Sequence, residues 1–254
     1  MRLVVLGCSG SGPGPDSPAS GYLVEAGTTR LALDLGNGTF GALQRVLDPW
    51  LLDAVVFSHL HPDHCADFSA LSVWRRYHPS PPAGVGALPV FAPAEAAERF
   101  AAAYAPNAAQ RTTAEFDGIL GFRTHVSEVA VGEAVLRTAA VDHPCEAYAL
   151  RVEHGGRSLV YSGDTGPCAG LVELARGADV LLCEASWPHS DAMPSGVHLS
   201  GRQAGEHAAA AGVGRLLLTH VPAWTDPQAV LAEAEAAFAG PVELVRAGGE
   251  YEVS

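Results

Sequence analysis

The sequence predicts an α/β fold, and two observations carry that prediction. Short apolar runs with strand character alternate with amphipathic segments of helical spacing, in two β-rich halves that each close in helices. Residues able to bind or transfer protons then follow several of those runs: His59, His143, Asp164 and His220. Side chains projecting from successive strand ends converge at one edge of a packed pair of sheets, where a rigid site can be built. The two halves show no internal repeat, and the 254 residues read as one domain over 1–254.

Arg2–Gly7 reads as a buried strand, and Cys8–Pro15 after it is a glycine-rich loop that borders the site. Tyr22–Ala26 and Arg30–Asp34 make a hairpin around Gly27-Thr28-Thr29. Thr39–Leu47 has helical apolar spacing at Phe40, Leu43 and Leu47. The strand Ala54–Phe57 leads into a histidine-rich loop, and Asp67–Tyr77 follows as a helix that packs Phe68, Leu71 and Trp74. Leu88–Phe91 is a short strand, and Pro93 opens a helix through Tyr104. The segment 105–121 has no readable pattern, while apolar alternation across Phe122–Val141 predicts two strands.

In the second half, Cys145–Glu153 and Arg157–Tyr161 form a hairpin around His154-Gly155-Gly156. A helix (Cys168–Arg176), a strand (Asp179–Cys183) and a long loop (Glu184–Leu199) follow. Ser200 and Gln203 form a capping box for a helix that Gly212 stops. Arg215–Thr219 is a strand ending at His220, Asp226-Pro227 opens the last helix, and Val242–Val245 and Tyr251–Val253 are strands.

Hydrophobic residues make up 48% of the chain, enough for a sizeable core. Five cysteines, odd in number and without paired spacing, fit free thiols in a reducing cytoplasm. No signal-peptide pattern or membrane-length apolar run is present. The net charge is −13, and all 15 basic residues are arginines. Such a surface repels polyanions, so a long nucleic acid is not an expected partner; Arg75-Arg76 is the one basic cluster. A small anionic substrate is compatible with this charge if bound dications dominate the pocket.

The densest chemistry is Ser58-His59-Leu60-His61-Pro62-Asp63-His64. Three imidazoles and a carboxylate within six residues offer the ligand atoms that suit zinc and similar divalent ions. His59 and His61 at alternate positions share one side of the loop, and Asp63 and His64 turn to a second point, an arrangement suited to two metal ions. A polar surface loop that merely contains histidines is the plain alternative. The buried strand before it and the four strand-end events argue against that.

HLHPDH at 59–64, the histidine of VDHP, the aspartate of YSGDT and the histidine of LLLTH together resemble the metallo-β-lactamase superfamily, over essentially the whole chain. The resemblance implies a four-layer αβ/βα sandwich and a dinuclear site for two divalent ions, zinc or alternatively manganese. It implies one ion at His59, His61 and His143, a second at Asp63, His64 and His220, and Asp164 bridging them. Asp63 is then both ligand and orienting partner of the nucleophilic hydroxide. The superfamily includes enzymes for β-lactams, thioesters, lactones and phosphodiesters, so the substrate stays open at this point.

His198 stands just before the capped helix and 22 positions ahead of His220. It looks like the extra histidine of the phosphodiesterase branch, which serves the leaving oxygen, and Glu184 is placed to orient it. A helix-entry histidine bonded to a carbonyl, and a solvated loop acid, are the structural alternatives. Only twenty residues separate His143 from Asp164, leaving no room for the tRNA-gripping arm of tRNA 3′-processing relatives. GCSGSGPGPDSPASGY, SVWRRYHPS, YSGDTG, LCEASWPHS and LTHVPAW together resemble bacterial class II-like cyclic-nucleotide phosphodiesterases. The expected activity is metal-dependent hydrolysis of small phosphodiesters, foremost 3′,5′-cyclic nucleotides. The alternatives are an RNA 3′-end nuclease, a lactone or thioester hydrolase, and a binding protein that kept the fold without catalysis. Superfamily relatives often pair, so a homodimer is expected.

Overall fold

Alternation of buried side chains decides which face each strand presents. In the computed structural model, which describes residues 1–254, the first half contains β1 (Arg2–Gly7), β2 (Ser9–Gly10), β3 (Gly21–Ala26), β4 (Thr29–Leu35), α1 (Thr39–Val46), β5 (Ala54–Val56), α2 (Pro62–Cys65), α3 (Phe68–Tyr77), β6 (Leu88–Ala92), α4 (Ala96–Tyr104) and β7 (Leu120–Thr124). The second contains β8 (Glu128–Val131), β9 (Ala134–Ala140), β10 (Tyr148–His154), β11 (Arg157–Tyr161), α5 (Ala169–Ala175), β12 (Val180–Glu184), α6 (Gly201–Ala211), β13 (Arg215–Thr219), β14 (Val221–Pro222), α7 (Pro227–Ala237), β15 (Val242–Leu244) and β16 (Glu250–Glu252).

These strands form two seven-stranded sheets, ordered β16-β1-β3-β4-β5-β6-β7 and β15-β13-β12-β11-β10-β9-β8. In the first, β4 through β7 run parallel; in the second, β11, β12, β13 and β15 do. The parallel strands therefore release their carboxyl ends at a common edge of each sheet, where open α/β sheets place ligand sites.

Between the sheets, Leu3, Leu33 and Val56 pack with Leu150, Leu182 and Leu217. On the outer face of the first sheet, Val55, Phe57 and Val90 pack on Leu43, Phe68 and Phe100 of α1, α3 and α4. On the outer face of the second, Leu181, Leu216 and Leu218 pack on Leu171, Ala208 and Val230 of α5, α6 and α7. The order of layers is helix, sheet, sheet, helix, the predicted αβ/βα sandwich. Strands buried on both faces read as continuous apolar runs, which is why AVVF and RLVVL stand out. No helix is long and apolar enough to cross a membrane.

Several boundaries move. Phe122–Val141 holds parts of three strands, not two: β7 closes the first sheet, and β8 and β9 open the second as a hairpin. The alternation continues across that change of sheet, so periodicity cannot mark it. The unreadable stretch contains two single 3₁₀ turns, Ala108–Gln110 and Thr113–Phe116, capped by the side chains of Asn107 and Thr112. Turns that short carry no period. The hairpin strand predicted from Cys145 begins at Tyr148, because 142–147 forms the loop carrying His143. The Ser200–Gln203 capping box and the left-handed Gly212 are present on α6.

The one basic cluster is occupied by structure. Arg75 is buried, donates to the carbonyls of Ile119 (3.2 Å) and Gly86 (2.9 Å), and lies over the Trp50 ring. Arg76 pairs with Glu115 at 2.9 Å.

Candidate metal centre

β5 stops after Val56, and the backbone N–H of Ser58 is captured by Asp34 Oδ1 at 2.7 Å. That turns the chain so that His59 is buried at the sheet edge. His61 caps α2, whose first helical residue is Pro62, and the single turn of α2 carries Asp63 and His64. The second pair of residues is thus turned away by a helix start rather than by an extended loop. The expected rule that a ligand is the very next residue after a strand holds only for His220. His59, His143 and Asp164 each lie three residues beyond β5, β9 and β11. Two intervening residues let the backbone turn inward before the side chain is presented.

Two positions need unusual backbone. Gly163 has φ +59°, and a Cβ there would meet Ser58 and the Tyr148 carbonyl at 2.9 Å, so only glycine lets Asp164 enter the site. His220 itself has φ 59°, and Gly10 of β2 lies flush against it. The glycine-rich loop after β1 does border the site, through this contact. A strained non-glycine residue such as His220 persists only where its surroundings over-determine it.

Seven side chains converge in two overlapping groups that share Asp164. In the first, His61 Nδ1 is 3.1 Å from His59 Nε2 and 3.1 Å from His143 Nε2, and His59 Nε2 is 3.7 Å from Asp164 Oδ2. In the second, His64 Nε2 is 3.1 Å from Asp164 Oδ1 and 3.6 Å from Asp63 Oδ2. His220 Nε2 is 3.3 Å from Asp164 Oδ2 and 3.8 Å from Asp63 Oδ2. Ligands about 2.0–2.2 Å from a tetrahedral ion stand about 3.3–3.6 Å from one another, so the donor spacing fits one ion per group. The buried atoms His64 Nε2, His220 Nε2 and Asp164 Oδ1 make no hydrogen bond, an arrangement costly to a fold unless a cation satisfies them.

The outer nitrogens fix the tautomers. Ser58 Oγ donates to Asp34 Oδ2 (2.7 Å), which leaves it to accept from His59 Nδ1–H at 3.1 Å. His143 Nδ1–H donates to the Val197 carbonyl (2.9 Å), and His64 Nδ1–H to Asp34 Oδ2 (2.7 Å). His220 Nδ1 meets Ser20 Oγ at 2.8 Å. The inner nitrogens of His59 and His143 are thereby left with lone pairs facing inward. At His64 burial is outweighed by Asp164 and Asp34, which raise it well above the usual imidazole range, so a cation bound there would displace its inner proton. Burial lowers His59 well below the usual imidazole range and pushes His220 down to about 4, so both are neutral ligand forms at neutral pH. Burial opposes the Asp164 carboxylate, yet His220 and His64 outweigh it and hold its pKa well below the ordinary value.

His198 and Glu184 are also brought to the site. His198 Nδ1 is 3.0 Å from Glu184 Oε1 and 3.8 Å from Asp164 Oδ2. Glu184, fully buried at the end of β12, also accepts from the Thr165 N–H (2.7 Å) and Ser186 Oγ (3.0 Å). Burial raises Glu184 to about 7 against the pull of His198. At His198 burial works downward, but Glu184 and Asp164 outweigh it and raise the imidazole to about 9. The pair is therefore carboxylate and imidazolium between those values. His198 Nε2 makes no hydrogen bond to the protein.

Asp34 is the residue the sequence reading missed. Seen there only as the end of a strand, it is a fully buried hub with φ 56° that holds Ser58, His64 and Tyr161 (Oη to Oδ2, 2.9 Å). A carboxylate inside the apolar run LALDL was its signal, since an aspartate is almost never fully buried without partners.

The sequence matches the family described as the beta-lactamase superfamily domain over residues 22–221. The chain belongs to the metallo-β-lactamase superfamily. An uncharacterized protein of Mycobacterium tuberculosis (strain ATCC 25618 / H37Rv), Rv1339, is 48% identical across all of this chain and 92% of its own length. The probable metallo-hydrolase YhfI of Bacillus subtilis is 28% identical, over 99% of this chain and all of YhfI. The crystal structure of YhfI superposes with a TM-score of 0.86 at 25% identity, covering 98% of both chains. A ribonuclease Z of Mycolicibacterium paratuberculosis is 33% identical over 96% of this chain and 95% of its own. Membership in the metallo-β-lactamase superfamily, shared with a probable metallo-hydrolase and a ribonuclease Z, supports a metal-dependent hydrolase, and the buried His/Asp groups fit a dinuclear metal site.

The shared position of Asp164 has a measurable consequence. The purified protein is expected to hold close to two equivalents of divalent metal by elemental analysis, and Asp164→Ala close to one or none. A variant that kept both equivalents would remove Asp164 from its bridging place.

Proposed function

We propose that this chain is a two-metal phosphodiesterase acting on small phosphodiesters, foremost 3′,5′-cyclic nucleotides, which it opens to 5′-monophosphates. The observation that carries the reading is His198: an imidazolium fixed by a buried glutamate, beside both donor groups, with Nε2 free to donate. A ribose 3′ oxygen departs as an alkoxide and needs such a donor, whereas the thiolate of a thioester leaves without one.

His59, His61 and His143 would hold one ion, Asp63, His64 and His220 the other, with Asp164 serving both. Bound there, zinc or manganese would neutralise the phosphate and lower the pKa of water. The protein's own part is positional. Asp63, its carboxylate at the rim of the second group, accepts a hydrogen bond from the attacking water and aligns it. His198 delivers its Nε2 proton to the departing 3′ oxygen, and Glu184 keeps the ring aimed and balances its charge. Glu184 does so while held by three donors, so it cannot swing away.

One observation favours a nuclease instead: the 33% identity to a ribonuclease Z. Against it stand the net charge of −13 and the engagement of Arg75 and Arg76 in structure. The segment from His143 to Asp164 is also taken up by the tight hairpin of β10 and β11. The test is a turnover panel of cyclic nucleotides, bis(p-nitrophenyl) phosphate, pre-tRNA and nitrocefin with zinc- and manganese-loaded protein. Cyclic nucleotides are expected to turn over fastest, and pre-tRNA to bind weakly and dissociate at moderate salt. Site-specific cleavage of pre-tRNA at physiological salt would overturn the proposal in favour of the nuclease.

A further inference from the structure

We infer that the loop between Glu184 and Leu199 forms a nucleobase pocket, so that the substrate's base enters the cavity beside His198. The inference deepens the phosphodiesterase reading and rests on it. In an in-line displacement the attacking and leaving oxygens lie on opposite sides of phosphorus. The leaving 3′ oxygen belongs to the nucleoside, and the group that protonates it is His198. Sugar and base therefore lie on the His198 side of the phosphate.

A cavity of about 210 Å³ is found on that side, lined by Trp187, Ser190, Asp191, Met193, Ser195 and His198 itself. It has room for a single base. Its aromatic wall is held in place: the Trp187 indole stands edge-on to His198 with centroids 5.1 Å apart. The loop is stapled at both ends, by Ser186 N–H to the Leu199 carbonyl (3.0 Å) and Gly201 N–H to the Trp187 carbonyl (3.1 Å). Glu233 on α7 ties down its middle by accepting from the His189 N–H at 2.8 Å. An aromatic and thioether lining with a few polar atoms is the usual construction of a small-ligand pocket.

The polar atoms also indicate which base edge fits. Asp191 as a carboxylate can only accept, and the hydroxyls of Ser190 and Ser195 can do either. A base that presents amino hydrogens finds acceptors in this set, and Gln203 at the same cavity can donate to a ring nitrogen beside them. The cavity at the opposite flank, about 380 Å³ and lined by His61, Glu95, Arg99 and Glu146, lies away from His198 and carries two glutamates in a largely polar wall. It offers a base no aromatic face.

Calorimetry on metal-loaded protein tests the pocket without turnover. Adenosine 5′-monophosphate is expected to bind about tenfold or more tightly than ribose 5-phosphate, the scale of one base–aromatic contact. Ser195→Trp, which fills the cavity, should bring the two affinities together, and Ser190→Trp from the other wall should do the same. Asp191→Asn should narrow the preference for adenosine 5′-monophosphate over purine riboside 5′-monophosphate, which lacks the amino group. Equal binding of the nucleotide and ribose 5-phosphate by the unaltered protein, or a gap that survives both tryptophans, would overturn the pocket. Hydrolysis of bis(p-nitrophenyl) phosphate, which has neither sugar nor base, reports separately: its absence would sink the phosphodiesterase reading and leave the affinity ratio to judge the pocket.

Discussion

Replacing His198 with alanine is expected to lower kcat on a cyclic nucleotide by roughly 10²–10⁴ while leaving metal content and folding nearly intact. His198 lies outside the seven converging donors, and although its side chain is only 13% exposed, Glu184 keeps its bonds from Thr165 and Ser186 without it. The loss arises because an alkoxide is a poor leaving group without a proton. The same variant should lose far less on bis(p-nitrophenyl) phosphate, whose phenolate departs unaided. Binding defects would instead raise KM for both substrates. Equal losses of kcat on the two would reduce His198 to a phosphate-binding or structural role. Glu184→Gln offers a milder version, since it keeps the hydrogen-bond frame at Thr165 and Ser186 but removes the charge that raises His198.

Asp34→Ala is expected to weaken metal binding about 10–100-fold and to cost about 3 kcal/mol of stability. It touches no donor atom of the first histidine, yet two ligands depend on it: His64 directly, and His59 through the Ser58 hydroxyl. Its removal would also orphan the buried Ser58 N–H and the Tyr161 hydroxyl. Asp34→Asn separates the two effects, because it keeps the volume and one acceptor but turns an amide donor toward groups that already donate. Metal affinity, read by competition with a chelator below the unfolding transition, should fall in both variants. An unchanged affinity in Asp34→Asn would confine Asp34 to a folding role.

Residues whose chemistry is uncommon in their setting were legible in the sequence. HLHPDH is dense enough in donors to name a metal loop, and the capping box at Ser200 is a local device that depends on neighbours alone. Glu184 was legible as a candidate, but its burial and its hold on three partners come from the tertiary approach of 165, 186 and 198. Asp34, Ser20 and Ser58 act across separations of 30, 200 and 1 residues, on His64, His220 and His59 respectively. The first two partnerships leave no spacing to read, and the third is adjacent but has no pattern that marks it. The strand ends before His59 and His143 were read one residue too long and the one before Asp164 was read correctly, but the turns that aim the three side chains were not legible, since their composition is ordinary. The change of sheet between β7 and β8 was invisible for a related reason: alternation records a face, not a sheet.

His59, His61, Asp63 and His64 come from a loop of the first sheet, whereas His143, Asp164 and His220 come from the second. The spacing between the two sets is governed by the thickness of the apolar layer that separates the sheets, and Val56 and Leu150 in that layer act as its spacer. Because interiors are close-packed, a methylene added or removed there is transmitted as a shift of one jaw of the site against the other. Mutational tolerance in this layer is therefore set by alignment of the donors as well as by stability, and a substitution that leaves the melting temperature untouched can still detune the enzyme.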